Sequence, residues 1–253
     1  MTRYLVFLLL LAGTWGTGFA QVRVVSLCYD ETAVRPWVNQ AGTVILKATA
    51  ALNHIAFEQV ALPWLRCLRD LAKGSYAGAV GVSFSDERAT FAVFPLNADG
   101  QLDYARRMQA SSYSVYRIKG ESADWDGKSF HNLSTRVVAQ RGYSVVGDLA
   151  KLGVQVDQSA GDAETVFKML IAGRVQLGAL VTEQGDELLA KPEFGRKLEK
   201  LKAPLVVKPY FLVFSKSFYA SNTKLAEDLW NSLAVVRDSK EPGPGSPQKS
   251  ARQ

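Results

Sequence analysis

Residues 62–95, LPWLRCLRDLAKGSYAGAVGVSFSDERATFAVFP, confine the chain to an open α/β sheet more firmly than any other stretch. Pro63 suits a first helical position, where its missing N–H costs nothing. Trp64, Leu68 and Leu71 recur at helical spacing, Lys73 sits in the last turn, and Gly74 can close the helix in a left-handed conformation. The run Ala77 to Val82 is small and apolar, as in a parallel strand covered on both faces. Ser83 follows, then Ser85-Asp86-Glu87 as a helix start, then Arg88. Ligands of open α/β sheets sit beyond the carboxyl ends of the strands. Ser83 and Arg88 therefore fall at a candidate crevice, where a guanidinium suits a carboxylate. The alternative is a surface arginine paired with Asp86 or Glu87.

The same rhythm runs along the chain. Val22 to Leu27 reads as a strand, Thr43 to about Asn53 as a helix, and Ile55 to Leu62 as a second strand. With the segment above, this gives β-α-β-α-β and a parallel sheet with right-handed crossovers. The rhythm recurs as strand Arg136 to Gln140, helix Val145 to Leu152, strand Val154 to Gln158, helix Ala163 to Ala172 and strand Leu177 to Val181. Extended segments Ala110 to Lys119 and Leu205 to Phe214 are placed to cross between two such units. A last helix runs from Asn222 to about Val236, with Leu225, Leu229, Trp230 and Leu233 on its apolar face. The expected division is lobe one at 21–113 plus 210–238, lobe two at 114–209, and a Pro/Gly-rich disordered tail at 239–253.

The 253-residue chain opens with Arg3, an apolar run from Leu5 to Ala12, and small residues to Ala20. That pattern predicts a cleaved secretory signal peptide at 1–20, and hence a periplasmic protein. Net charge is +6 and dispersed, apart from Arg196, Lys197, Lys200 and Lys202 around Glu199, which reads as a solvated helix face. No zinc, RNP or helix-turn-helix pattern supports nucleic-acid binding. His54 and His131 are far apart and lack partners at metal spacing, so neither metal nor cofactor is expected. In an oxidising compartment the two cysteines, Cys28 and Cys67, suggest one disulfide. Cys28 ends the first strand and Cys67 lies one turn into the helix after the second, places that are neighbours if those strands pair. The alternative is two buried free thiols.

Residues 62–95 resemble bacterial extracellular solute-binding proteins of the polar-amino-acid type, which serve ABC importers. The family's W-x-R-x-L helix stands here as Trp64-Leu65-Arg66-Cys67-Leu68. Its glycine turn is Gly74-Ser75-Tyr76-Ala77-Gly78, with Ala77 at the usual aspartate. Its Ser/Thr-rich loop and E-R step are Ser83 to Arg88, and its short F-x-F-[SP] strand lies within Phe91 to Pro95. The family's V-Q-x-G-T-T loop is matched by Gln140, Gly142, Tyr143 and Ser144, with Tyr143 departing from threonine and Arg141 adding a charge. The resemblance extends from Val22 to about Val236.

It implies a two-lobed periplasmic-binding-protein fold (type II), each lobe a β-sheet flanked by helices and the two joined by hinge strands. It also implies that Arg88 and Ser83 grip a carboxylate. The strand–Gly–Ser arrangement of Arg141, Gly142, Tyr143 and Ser144 reads either as a plain strand-to-helix turn or as a backbone nest for anions, and the resemblance favours the nest. Tyr29 and Trp37, in the loop after the first strand, serve as cleft wall or as core. The family carries an aspartate for the ligand's ammonium after the strand that ends here in Leu180-Val181-Thr182-Glu183. No aspartate stands there; Glu183 either substitutes or is a solvated acid. The expected ligand is a small carboxylate-bearing polar solute, and the expected partner of this monomer is an importer permease or a sensor receptor. The runner-up is a dehydratase-like periplasmic enzyme on the same fold, for which Asp30, Glu31 and Glu183 are the nearby acids.

Overall fold

The computed structural model describes residues 22–32 and 41–240. The expected leader, Trp37 and residues 241–253 lie outside them. Among the described residues no helix is long and apolar enough to cross a membrane.

The first unit is β1 (Arg23–Asp30), α1 (Ala41–Leu52), β2 (Ile55–Leu62), α2 (Trp64–Ala72) and β3 (Gly78–Ser83). β1 lies between β2 and β3 and is parallel to both. Pro63 caps α2, whose Trp64, Cys67, Leu68 and Leu71 face inward, as the helical spacing predicts. The one-turn α3 (Asp86–Ala89) and the short β4 (Ala92–Val93) follow, then a 3-10 turn at Tyr104–Arg106. β5 (Gln109–Ile118) crosses to the second unit.

There β6 (Asp124–Trp125) and β7 (Phe130–His131) make a small hairpin where the sequence suggests a turn. The second rhythm is then β8 (Val137–Ala139), α4 (Val145–Lys151), β9 (Val156–Asp157), α5 (Ala163–Ile171) and β10 (Leu177–Val181). β8 lies between β9 and β10, parallel to both, so the two units share one strand order. Each ends on an antiparallel neighbour: β10 on β5, and β3 on β11 (Leu198–Ser215), which follows α6 (Thr182–Leu189) and α7 (Pro192–Gly195).

β11 ties the units together. Leu198 to Tyr210 pair with β5, and Tyr210 to Phe214 pair with β3, so one hydrogen-bonded ladder runs through both lobes. The register shifts on either side of Pro204, as expected where a residue lacks its N–H. Gly78 is required opposite this strand, because a Cβ there would stand 2.5 Å from the Val213 carbonyl oxygen. The apolar side chains separate around the crossing. Val25, Leu27, Leu46 and Trp230 belong to one cluster of the first lobe; Val137, Leu149, Leu177 and Val115 belong to a cluster of the second. α8 (Lys216–Lys240), broken at Asn222, returns the chain to lobe one, where the Trp230 indole donates to the Leu212 carbonyl at 2.7 Å.

One expectation is corrected. Of the basic run around Glu199, Arg196 and Lys197 form the turn after α7, and Lys200 and Lys202 lie in the start of β11, not on a helix face. Leu198 and Leu201 are buried and Lys200 and Lys202 exposed, because pairing with β5 overrides local helical preference. The helix α6 lies in a stretch after Val181 to which the sequence analysis assigns no element.

Cys28 and Cys67 form a disulfide with Cα atoms 5.6 Å apart, buried between β1 and α2. The bond closes a span of 39 residues. On the chain-entropy account it stabilises the fold by about 4 kcal/mol. Thiol titration of denatured, unreduced protein is expected to find no free cysteine, and Cys67→Ser to lower the unfolding free energy by about that amount. Two titratable thiols in the native protein would contradict this assignment.

Candidate functional site

The lobes face each other across a cleft at the carboxyl ends of β1 and β3, with the loop after β8 and the start of α6 opposite. The space enclosed, including some open to solvent, is about 790 Å3.

Arg88 is among the residues that line it. Ser85 caps α3, its hydroxyl accepting the Arg88 amide at 3.2 Å, and this single turn folds the arginine back beneath β3. The guanidinium Nη1 donates to the Ser83 carbonyl at 2.8 Å and to the Ser83 hydroxyl at 2.9 Å. Nη2 reaches across to the Gly142 carbonyl at 2.8 Å. The Trp64 ring lies beneath, its centroid 5.3 Å from the guanidinium carbon. Arg88 is only 4% exposed, and burial lowers its pKa from the usual arginine value.

The opposite lobe is held by several such contacts. Gly142 has φ +77°, and its carbonyl also accepts from the Trp64 indole at 3.2 Å. The Ser144 and Ser83 hydroxyls are 2.7 Å apart. Tyr143 donates its phenol to Asp30 Oδ2 at 2.5 Å, and its ring packs against apolar clusters of both lobes. Burial, then the charge of Asp30, raises the Tyr143 pKa, so the phenol keeps its proton. Gln184 Nε2 donates to the Thr32 carbonyl at 3.3 Å.

The floor of the cleft is tyrosine from the crossing strands. Tyr113 of β5 and Tyr210 of β11 are both nearly buried. Burial, then the neighbouring Tyr210, pushes the Tyr113 pKa well up; burial pushes that of Tyr210 up to about 12. Beside the floor, buried Lys208 of β11 pairs with Asp148 of α4. Among the described residues no group of three or more His, Cys, Asp or Glu side chains is placed to hold a metal ion.

Of the residues singled out in the sequence, Tyr29, Ser83, Arg88, Tyr143 and Glu183 line the cleft; Gly142 and Ser144 touch that lining. Glu183 lies in the first turn of α6, exposed, with Oε2 accepting from the Ser111 hydroxyl. Arg141 does not join them. Its guanidinium turns outward to the carbonyls of Gln158 and Ser159. In the loop after β8 the Arg141 and Tyr143 amides are committed to the carbonyls of Ala160 and Gln140, which leaves the expected nest to the amides of Gly142 and Ser144. The same loop also presents the Gly142 carbonyl, an acceptor, which meets Arg88.

Asp30 enters the sequence analysis only as a candidate acid, and Trp64 only as part of the α2 pattern. Gln184, Tyr113 and Tyr210 were not read as site residues, because a strand's crossing point and the face of an unrecognised helix leave no local signal.

No protein-family profile matches the chain, and no curated protein sequence does. Solved structures do match. A histidine kinase sensor domain with similarity to periplasmic binding proteins superposes with a TM-score of 0.69 at 14% identity, over 86% of this chain and 92% of that one. The substrate-binding protein of an amino acid ABC transporter gives 0.64 at 14%, over 85% and 94%. The GluR0 ligand-binding core from Nostoc punctiforme, in complex with (L)-glutamate, gives 0.62 at 14%, over 86% and 93%. The chain has the two-lobed periplasmic-binding-protein fold.

Gly142 sets how closely the lobes approach. A Cβ there would stand 2.4 Å from Leu65 Cδ2, and the positive φ disfavours any side chain. Gly142→Val is therefore expected to hold the lobes apart and raise the radius of gyration in small-angle scattering. An unchanged radius would contradict the docking described.

Proposed function

We propose that this chain is a periplasmic solute-binding protein that captures a small, polar, carboxylate-bearing solute of amino-acid type between its lobes for the permease of an ABC importer. Lobe one comprises residues 21–113 plus 210–238 and lobe two 114–209, and the chain works as a monomer. The observation that carries this reading is Arg88: a nearly buried guanidinium lining a two-lobed cleft, bonded to an oxygen atom of the facing lobe. A ligand carboxylate presents the same acceptor chemistry with a full negative charge, which makes the stronger bond. Opening about β5 and β11 withdraws the Gly142 carbonyl, and a carboxylate takes its place before the lobes close. A ligand that touches both lobes favours the closed form by its extra contacts there.

The remaining lining supports the same reading. Glu183 stands in the cleft near the place where amino-acid binders carry their ammonium partner, and Tyr29 and Tyr143 supply aromatic walls. A second reading, a sensing module that reports to a membrane receptor, is favoured by the likeness to a kinase sensor domain. Permease and ATPase genes beside this one favour the importer; a sensor kinase gene favours the receptor.

A thermal-shift panel of the standard amino acids and of carboxylates without an amino group finds the ligand. Calorimetry with that ligand then tests Arg88. Arg88→Ala is expected to weaken binding by about 2–5 kcal/mol, the range for breaking a buried charged pair. Unchanged affinity in that variant would overturn the assignment.

A further inference from the structure

Gln184 lines the cleft, is 5% exposed, and has a side-chain oxygen with no partner. The orientation of its amide is set by its surroundings. The Thr32 carbonyl can only accept, so the nitrogen must face it, as it does at 3.3 Å, and the same nitrogen lies 3.4 Å from the Tyr143 hydroxyl. Oε1 is thereby left as a buried acceptor without a donor, a state that native proteins rarely keep without a reason.

The other polar groups of the cleft make the same demand. Among the described lining residues the charged side chains are Asp30, Glu183 and Arg88. Two are acids, and the one base already donates to three protein oxygens. Asp30 Oδ2 takes one bond, from Tyr143, and a carboxylate oxygen has room for a second. Glu183 accepts from the Ser111 hydroxyl on Oε2. The walls between them are Tyr29, Tyr113 and Tyr143, whose faces attract cations. Among the described lining residues the acids thus outnumber the bases, and the one base is the group proposed to meet the ligand's carboxylate.

We propose that the cleft selects a cationic solute carrying several N–H donors, a guanidinium or primary ammonium compound, and that Gln184 reads one of those donors through Oε1 while Asp30 and Glu183 hold the charge. This rests on the solute-binding reading and names the ligand's chemical class within it. Gln184 is a specificity residue here: an anionic or donor-poor ligand would leave its oxygen unpaired and set its own charge against the two acids.

The test uses the whole exported protein and five probes: L-arginine, L-lysine, agmatine, L-glutamate and succinate. Agmatine carries a guanidinium and an ammonium but no carboxylate. The expected result is binding of at least one of the three cationic probes, and none of glutamate or succinate. Gln184→Leu and Asp30→Asn should each weaken the cationic probe by about tenfold or more. Gln184→Glu, which keeps an acceptor at that position, should retain or tighten it. Melting curves of the ligand-free variants confirm that each is folded. Arg88→Ala should weaken arginine or lysine more than agmatine. If only glutamate or succinate binds, and does so through Arg88, the solute-binding reading stands and the cationic class is overturned. If a cation binds and Gln184→Leu leaves it unchanged, the role of Gln184 is overturned. If no small solute binds at all, both fall.

Discussion

The Arg88 guanidinium carries a full charge into a site where water barely reaches it. Isolated there, it would cost several kcal/mol, so its partners must all be in place together. They come from separate parts of the chain: the end of β3, the Trp64 ring at the start of α2, and the Gly142 carbonyl of the other lobe. The last partner is present only when the lobes are docked. The charge therefore couples the local turn at Ser85 to the arrangement of the whole molecule.

Around that centre the cross-lobe contacts share a pattern. Lobe one offers Ser83, Trp64, Asp30 and Thr32 from the carboxyl ends of its parallel strands and the loops beyond them. Lobe two answers from the two equivalent places in its own unit, the loop after β8 and the first turn of α6 after β10. Because both units have the strand order that places the central strand first, the ends that carry chemistry face each other. β5 and β11 alone join them in the ladder, and Tyr113 and Tyr210 sit where those strands cross. Polar docking surfaces and few crossing strands permit opening without loss of either core.

Much of this was legible in local chemistry. The cap at Ser85, the inward face of α2, and the pairing of Cys28 with Cys67 each follow from residues whose spacing admits few arrangements. Both β-α-β-α-β rhythms emerge because short apolar runs alternate with amphipathic ones. What escaped was set by tertiary partners. The stretch from Leu198 to Lys202 is a strand only because β5 is beside it, and α6 is stabilised by burying Gln184 and Leu188 against the cleft and the lobe core. The loop at Gly142 illustrates a subtler limit. Its glycine and serine were legible as a close-approach site, but whether its amides or its carbonyl faces the cleft depends on which peptide groups Ala160 and Gln140 engage.

The central claim is that this cleft closes on one small solute. Native mass spectrometry of the gently purified protein, with pools of polar solutes added, tests it most directly. The account predicts a complex exceeding the chain by a single small polar molecule, which leaves on denaturation and is absent in Arg88→Ala. A chain that stays at its own mass in every pool would contradict it.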